Sequence, residues 1–162
     1  MLLRENKGIE AIAAYERVLQ MKPNHVSSVM LLGKLAEDVE GNATKADKLL
    51  RQAALLAPDS PAVLSNYAYW LDTRFQHIDA AEAYYRAALR IDGSSVATLN
   101  NLASLLERRE AERPEVSWNE AQALYRRAIE LEPGNTLTLC NYAGMLHERM
   151  GQSAESAAMY KR

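Results

Sequence analysis

Apolar and small residues recur along this chain with a fixed spacing in four places. The spacing reads Val29-x2-Leu32-Gly33-x2-Ala36, then Leu64-x2-Tyr67-Ala68-x2-Leu71, then Leu99-x2-Leu102-Ala103-x2-Leu106, and finally Leu139-x2-Tyr142-Ala143-x2-Leu146. Steps of three and four put such residues on one stripe of an α-helix, with polar residues on the other faces. A second marker follows each first one. It is a small residue with a larger one four positions on: Ala11/Tyr15, Ala46/Leu50, Ala81/Tyr85, Ala121/Tyr125 and Ser156/Tyr160. Val18, Ala53, Ala88 and Ala128 continue that stripe, and Pro23, Pro58, Gly93 and Pro133 end it. Proline ends a helix by lacking an N–H, glycine by its backbone freedom.

Each period therefore predicts two helices whose small residues let their axes approach. The predicted helices are 24–40, 43–57, 61–74, 77–91, 95–111, 117–132, 135–150 and 153–162, with one more near 4–22. Ser60 before Pro61 reads as an N-cap followed by proline at the first helical position. Asp79-x-x-Glu82 and Ser117-x-x-Glu120 read as capping boxes. A hairpin of this kind cannot bury its apolar face alone and must stack on its neighbours. The expected fold class is all-α, a right-handed superhelical solenoid of antiparallel helix pairs. It forms a single repeat domain over 1–162: a partial repeat at 1–25, repeats at 26–60, 61–95 and 96–135, and a truncated repeat at 136–162.

The markers carry a resemblance to the tetratricopeptide repeat family, whose pattern is W-x2-L-G-x2-Y, then A-x3-F, then P. Here Val29, Leu64, Leu99 or Leu139 stands for the leading Trp, Gly93 for one Pro and Ser156 for one Ala. The pentatricopeptide family shares a period near 35 and binds single-stranded RNA. The prolines at unit ends and the Gly or Ala after Leu or Tyr favour the tetratricopeptide reading. A net charge of −2 removes any global pull toward nucleic acid or an anionic membrane. No apolar run reaches the roughly 20 residues needed to cross a bilayer. The expectation is no nucleic acid and no membrane. The single cysteine, Cys140, excludes an internal disulfide and suits a reducing, intracellular (cytoplasmic) compartment.

The resemblance implies that first helices line a concave face holding a peptide or a partner helix. Mapped here, that groove presents Lys34, Asp38, Asn66, Tyr69, Asp72, Asn101, Ser104, Arg108, Asn141, His147 and Glu148 as candidate peptide-groove residues. Asn66, Asn101 and Asn141 hold one equivalent place in three successive repeats. An amide both donates to and accepts from a peptide backbone. The row is similar to the asparagine ladder in the tetratricopeptide arm of a glycosyltransferase, although asparagine is common at this place in the family. Glu37, Asp38, Asp72, Glu107 and Glu148 outnumber Lys34 and Arg108 on that face, so the expected partner is a protein or peptide with a neutral or basic segment. The competing reading makes these acids a solvated helix face. Lys34 alone offers a cation for a chaperone-tail carboxylate clamp, which argues against that role.

Two further expectations concern the edges of the pattern. Aligned on the repeat, the chain starts and stops inside helices, so it reads as a segment of a longer array. Ile9, Ile12 and Leu19 at one end, and Met159 and Tyr160 at the other, then stand ready for a neighbour or for end-to-end self-association. The third repeat also carries five extra residues within 109–118. Their first part is expected to extend the preceding helix until Pro114 stops it, with Trp118 packed on the following helix or exposed as an anchor.

No catalytic constellation is visible. His25, His77 and His147 are scattered over different repeats and do not pair with Cys140, which reads as a half-buried packing residue. Tyr67, Tyr85, Tyr125, Tyr142 and Tyr160 read as core. No metal or cofactor is expected, and the function expected is a non-enzymatic interaction scaffold. Two alternatives stay open: a substrate-recruiting arm of a larger enzyme, such as a glycosyltransferase, and a structural spacer.

Overall fold

The structure, a computed structural model, describes residues 2–109 and 114–150, with side chains over 7–109 and 117–147. Among the described residues the secondary structure is eight α-helices: α1 Leu2–Met21, α2 Val26–Asp38, α3 Ala43–Leu56, α4 Pro61–Thr73, α5 Ile78–Ile91, α6 Val96–Arg108, α7 Pro114–Leu131 and α8 Thr136–Met150. The chain divides into two compact units, Met1–His77 and Ile78–Arg162. The boundary falls between the two helices of the 61–95 repeat.

In the first unit, α1 packs on α2, α2 on α3 and α3 on α4. The stripe residues Val29, Leu32, Ala36, Ala46, Leu50, Ala53, Leu64, Tyr67, Ala68 and Leu71 are buried, and those of α1, Ala11, Tyr15 and Val18, are half-buried. Ile12, expected to stand ready for a neighbour, is buried instead, while Ile9 is exposed. Gly33 shows why a small residue belongs in the frame. A Cβ there would lie 3.0 Å from Leu50 Cγ and 3.2 Å from Leu49 Cβ, so α2 and α3 meet closer than a larger residue allows. Gly8 does the same for α1, where an added Cβ would come within 2.7 Å of a Val39 methyl.

In the second unit, α5 packs on α6, α6 on α7, and α8 on both α6 and α7. Its core holds Ala81, Tyr85, Ala88, Leu99, Leu102, Ala103, Leu106, Ala121, Tyr125, Ala128, Leu139, Tyr142, Ala143 and Leu146. Val96, Leu99 and Ala128 form one contact cluster, with Leu89 and Leu124 packed against it. Four of the five tyrosines expected in the core are buried; Tyr160, like Met159 and Ser156, lies outside the described residues.

The turns repeat as faithfully as the stripes. His25, Ser60 and Asn135 each donate a backbone N–H to the carbonyl three residues back, on Lys22, Ala57 and Glu132, which places Pro23, Pro58 and Pro133 at the second position of a tight turn. The same residues, with Ser95, then take the backbone N–H of Val29, Leu64, Leu99 and Leu139, the leading positions of the frame. Ser95 Oγ and Asn135 Oδ1 also accept the N–H of Thr98 and Thr138, at 3.4 and 3.1 Å. Asn42, absent from the sequence reading, caps α3 through the Lys45 N–H at 2.9 Å.

Some predicted boundaries need correction. Asp79 lies inside the first turn of α5, where its negative charge meets the helix dipole; it is not a cap. Ser117 lies inside α7 and is buried, so its capping box is absent as well. As described, α6 has 13 residues like α2 and α4, and residues 110–113, on which its expected extension falls, lie outside the described residues. The insertion lengthens α7, which has 18 residues against 14 in α3 and in α5. Pro114 opens that helix instead of stopping the previous one. Its missing N–H is harmless at the first helical position, where no carbonyl waits for it. Trp118 is 9% exposed, so it packs and is no exposed anchor.

Candidate protein-interaction surface

The first helices of the first unit are α2 and α4. Between them lies a hollow of about 170 Å³ lined by Met30, Leu31, Lys34, Leu50, Asn66 and Trp70. Two candidate residues, Lys34 and Asn66, are thus brought to one place, and both are exposed. Asn66 Nδ2 lies 3.7 Å from Met30 Sδ, a weak contact that leaves the amide largely available. Tyr69 is 46% exposed on the same helix, and the Arg74 guanidinium lies 5.6 Å from the Trp70 ring centroid. Asp38 is exposed at the last residue of α2.

The second unit has a larger hollow, about 420 Å³, at the N-terminal ends of α6 and α8. Ala97, Asn100, Asn101, Glu132, Asn135 and Leu137 are among the residues lining it. Leu137 is 64% exposed, giving the hollow an open apolar wall. Asn101 and Asn141, one period of 40 residues apart, are both half-buried. Asn141 Nδ2 donates to Asn100 Oδ1 at 3.3 Å, so one amide of the expected row is tied to a neighbour in the same fold. Ser104 is half-buried, while Arg108 and His147 are exposed; the side chain of Glu148 lies outside the described residues.

The acids behave differently from expectation. Asp72 is 4% exposed, so its carboxylate is not offered to the groove. Glu107, at the equivalent position of α6, is half-buried and accepts the Tyr125 hydroxyl at 3.4 Å. Burial, and then the negative charge of Glu107, push the Tyr125 phenol well above its ordinary value. Glu37 holds the same position on α2. Its Oε2 is buried without a hydrogen-bond partner among the described residues, because Leu50 stands where Tyr125 stands two repeats later. Glu107 thus turns toward α7, while Asp72 and one oxygen of Glu37 are buried within their own unit. The acidic bias assigned to the groove from the sequence shrinks accordingly.

The repeat spacing also maps Met30, Leu31 and Leu137 to this face, although they are not among the candidate groove residues, and they give the hollows their apolar walls. All three are large apolar residues off the core stripe. Cys140 is exposed and not half-buried, because it lies one residue beyond the frame position Leu139. Among the described residues no three His, Cys, Asp or Glu side chains converge where they could hold a metal, and no helix is long and apolar enough to cross a membrane.

No protein-family model and no curated protein matches the sequence. Solved structures do. The structure of PilF from Pseudomonas aeruginosa has a TM-score of 0.83 and 15% identity over 98% of this chain and 68% of that one. PilW, described as a type IV pilus biogenesis factor, gives a TM-score of 0.81 with 20% identity over 98% of this chain and 70% of that one. YrrB, described as a TPR protein with an unusual peptide-binding site, gives 0.70 with 14% identity over 99% and 78%. At such identities the likeness speaks for the fold alone. It agrees with the spacing of small and apolar residues that this chain has the tetratricopeptide-repeat fold.

Proposed function

We propose that the chain is a non-enzymatic protein-interaction scaffold that holds an extended peptide or a partner helix against the exposed faces of its first helices. The observation that carries this reading is the composition of the two hollows. Each combines an open apolar wall, Met30 and Leu31 in one and Leu137 in the other, with an amide at the same repeat position, Asn66 or Asn101. An apolar wall supplies affinity by removing area from water, and an amide supplies both halves of a backbone hydrogen bond. With Asp72 buried and Glu107 turned to Tyr125, a neutral segment suits these faces better than a strongly basic one. The description of YrrB as having a peptide-binding site gives the reading a parallel on the same fold.

A random peptide library displayed on phage, selected against the whole chain, tests this. Selected peptides should bind Leu137→Asp at least tenfold more weakly, and Asn101→Ala about fivefold more weakly for a lost hydrogen bond near 1 kcal/mol. Far-UV circular dichroism should be unchanged in both variants. A library that yields no binder, or binders indifferent to both substitutions, refutes the proposal.

A further inference from the structure

Away from these hollows, one second helix keeps a pair of polar receiving groups that no tyrosine of the frame answers. Tyr67 on α4 donates its hydroxyl to Asp47 Oδ1 on α3 at 3.0 Å. Tyr142 on α8 accepts from Arg126 Nε on α7 at 3.0 Å, and its ring centroid lies 5.8 Å from that of Tyr125. Both phenols extend from a first helix to polar groups on the preceding second helix. The same frame position on α6 is Leu102, which has no hydroxyl. The receiving groups are nevertheless kept on α5: Glu82 stands where Asp47 does, and Arg86 where Arg126 does. At Leu32, the other leucine in the frame, α1 supplies Ile12 in place of the acid and Glu16 in place of the guanidinium, so that pair of receiving groups is not kept there.

Beside Leu102 lies a hollow of about 270 Å³, lined by Leu89, Leu102 and Leu124 and by Arg86, Arg90 and Glu120. Arg86 spends its Nε on Glu82 at 2.8 Å and its two terminal nitrogens on Glu120 at 2.6 and 2.9 Å. A guanidinium carries five N–H groups, so donors remain. Arg90 is exposed and has no ion-pair partner among the described residues.

We propose that this hollow receives the tyrosine side chain of a partner protein, the ring lying on Leu89, Leu102 and Leu124 and the hydroxyl taking beside Arg86 the place that Tyr142 holds beside Arg126. Arg90 sets the charge of the occupant: the tyrosine belongs to an acidic segment, whose carboxylate pairs with that free guanidinium. The three leucines supply the contact area, and the polar rim separates tyrosine from phenylalanine, because a phenyl ring leaves the rim's donors unanswered.

The probe is a capped five-residue peptide with one tyrosine between two pairs of glutamates, titrated into the whole chain and followed by leucine-methyl NMR. Saturable shifts are expected on Leu89, Leu102 and Leu124. The phenylalanine version should bind about fivefold more weakly, the worth of one hydrogen bond near 1 kcal/mol. Leu102→Tyr fills the hollow from within and should abolish the shifts. Should that variant not fold, Arg90→Glu on the surface decides, with at least a fivefold loss expected. No saturable shift at millimolar peptide, equal binding of the phenylalanine peptide, or undiminished binding to a folded Leu102→Tyr or to Arg90→Glu each overturns the proposal.

Discussion

Two residues with positive φ show how the repeat handles the turn from its first helix to its second. Gly41 has φ of 62°, and its N–H and that of Asn42 bond back to the carbonyls of Glu37 and Ala36, at 3.0 and 2.8 Å. This is the paired bonding of a Schellman ending, which needs a left-handed residue. One period later Gln76 does the same work at φ 54°, with the His77 N–H reaching Leu71 O at 2.8 Å. A side chain in that region costs roughly 1–2 kcal/mol. Gly41→Ala should therefore lower the urea unfolding free energy by about 1 kcal/mol. Gln76→Gly should raise it by about 0.5 kcal/mol, the relief being reduced by loss of the Gln76 Nε2 bond to Asp72 O at 3.1 Å. Tyr125 makes a second residue-scale prediction. Its raised phenol keeps its proton in the folded chain where the unfolded chain gives it up. The stability it contributes is complete below an ordinary phenol value near 10 and is lost as pH climbs beyond it. Urea midpoints measured from pH 8 to 11 should fall less steeply for Tyr125→Phe than for the parent chain. At this scale the sequence is a partial guide. Its spacing places Tyr125, Ala103 and Leu106 in the core, as observed. It does not reveal that Asp72 is buried, because that depends on the rotation of the helix against its neighbour, which adjacent residues do not encode.

Helices carry the clearest lesson about what can be read in advance. Caps and stripes place the first helices, each beginning where the turn residue's carbonyl takes its first helical N–H, but α2 and α6 are shorter at 13 residues than the expected 24–40 and 95–111. The failure at Pro114 has a plain cause. Proline both stops one helix and starts another, and an isolated sequence does not say which when two helices lie close along the chain. A charge network ties the second helix of the 61–95 repeat to the longer repeat that follows. Arg109 pairs with Asp79 and Glu82, Glu82 with Arg86, and Arg86 with Glu120, linking α5, the end of α6 and α7. The members are partly open to solvent, so each pair is worth about 0.2–1 kcal/mol. Arg109→Ala removes two links and should cost about 1 kcal/mol in low salt. In 1 M NaCl, where the screening length falls to about 3 Å, the gap between variant and parent should narrow by half or more. An equal gap in both salts would mean that Arg109 acts by packing its carbon chain.

Across the whole chain, stability in a stacked-hairpin protein is approximately a sum of local terms and nearest-neighbour terms. Residues 1–77 and 78–162 each hold their own core. Leu50→Ala, which opens a cavity between α2 and α3, should cost about 2–5 kcal/mol locally. Hydrogen exchange should speed in α2 and α3 while amides of α6 and α7 keep their protection; a uniform loss of protection would show that the chain opens as one block. The fold was legible at this scale because repetition multiplies a weak signal: no one Leu-x2-Tyr-Ala is informative, but four in register are. The interaction faces were less so. They rest on off-stripe residues such as Leu31 and Leu137, whose exposure is set only once two first helices stand side by side. The third repeat adds five positions, yet Ser95 and Asn135 still hold the turns 40 residues apart, and α6 keeps the length of α2 and α4. Extra length was thus taken up at the front of α7 and spared the phase of the stripes on both flanks. That front is a natural place to edit: one whole turn trimmed there would bring α7 to the size of α3 and α5, with neither flanking stripe forced to rotate.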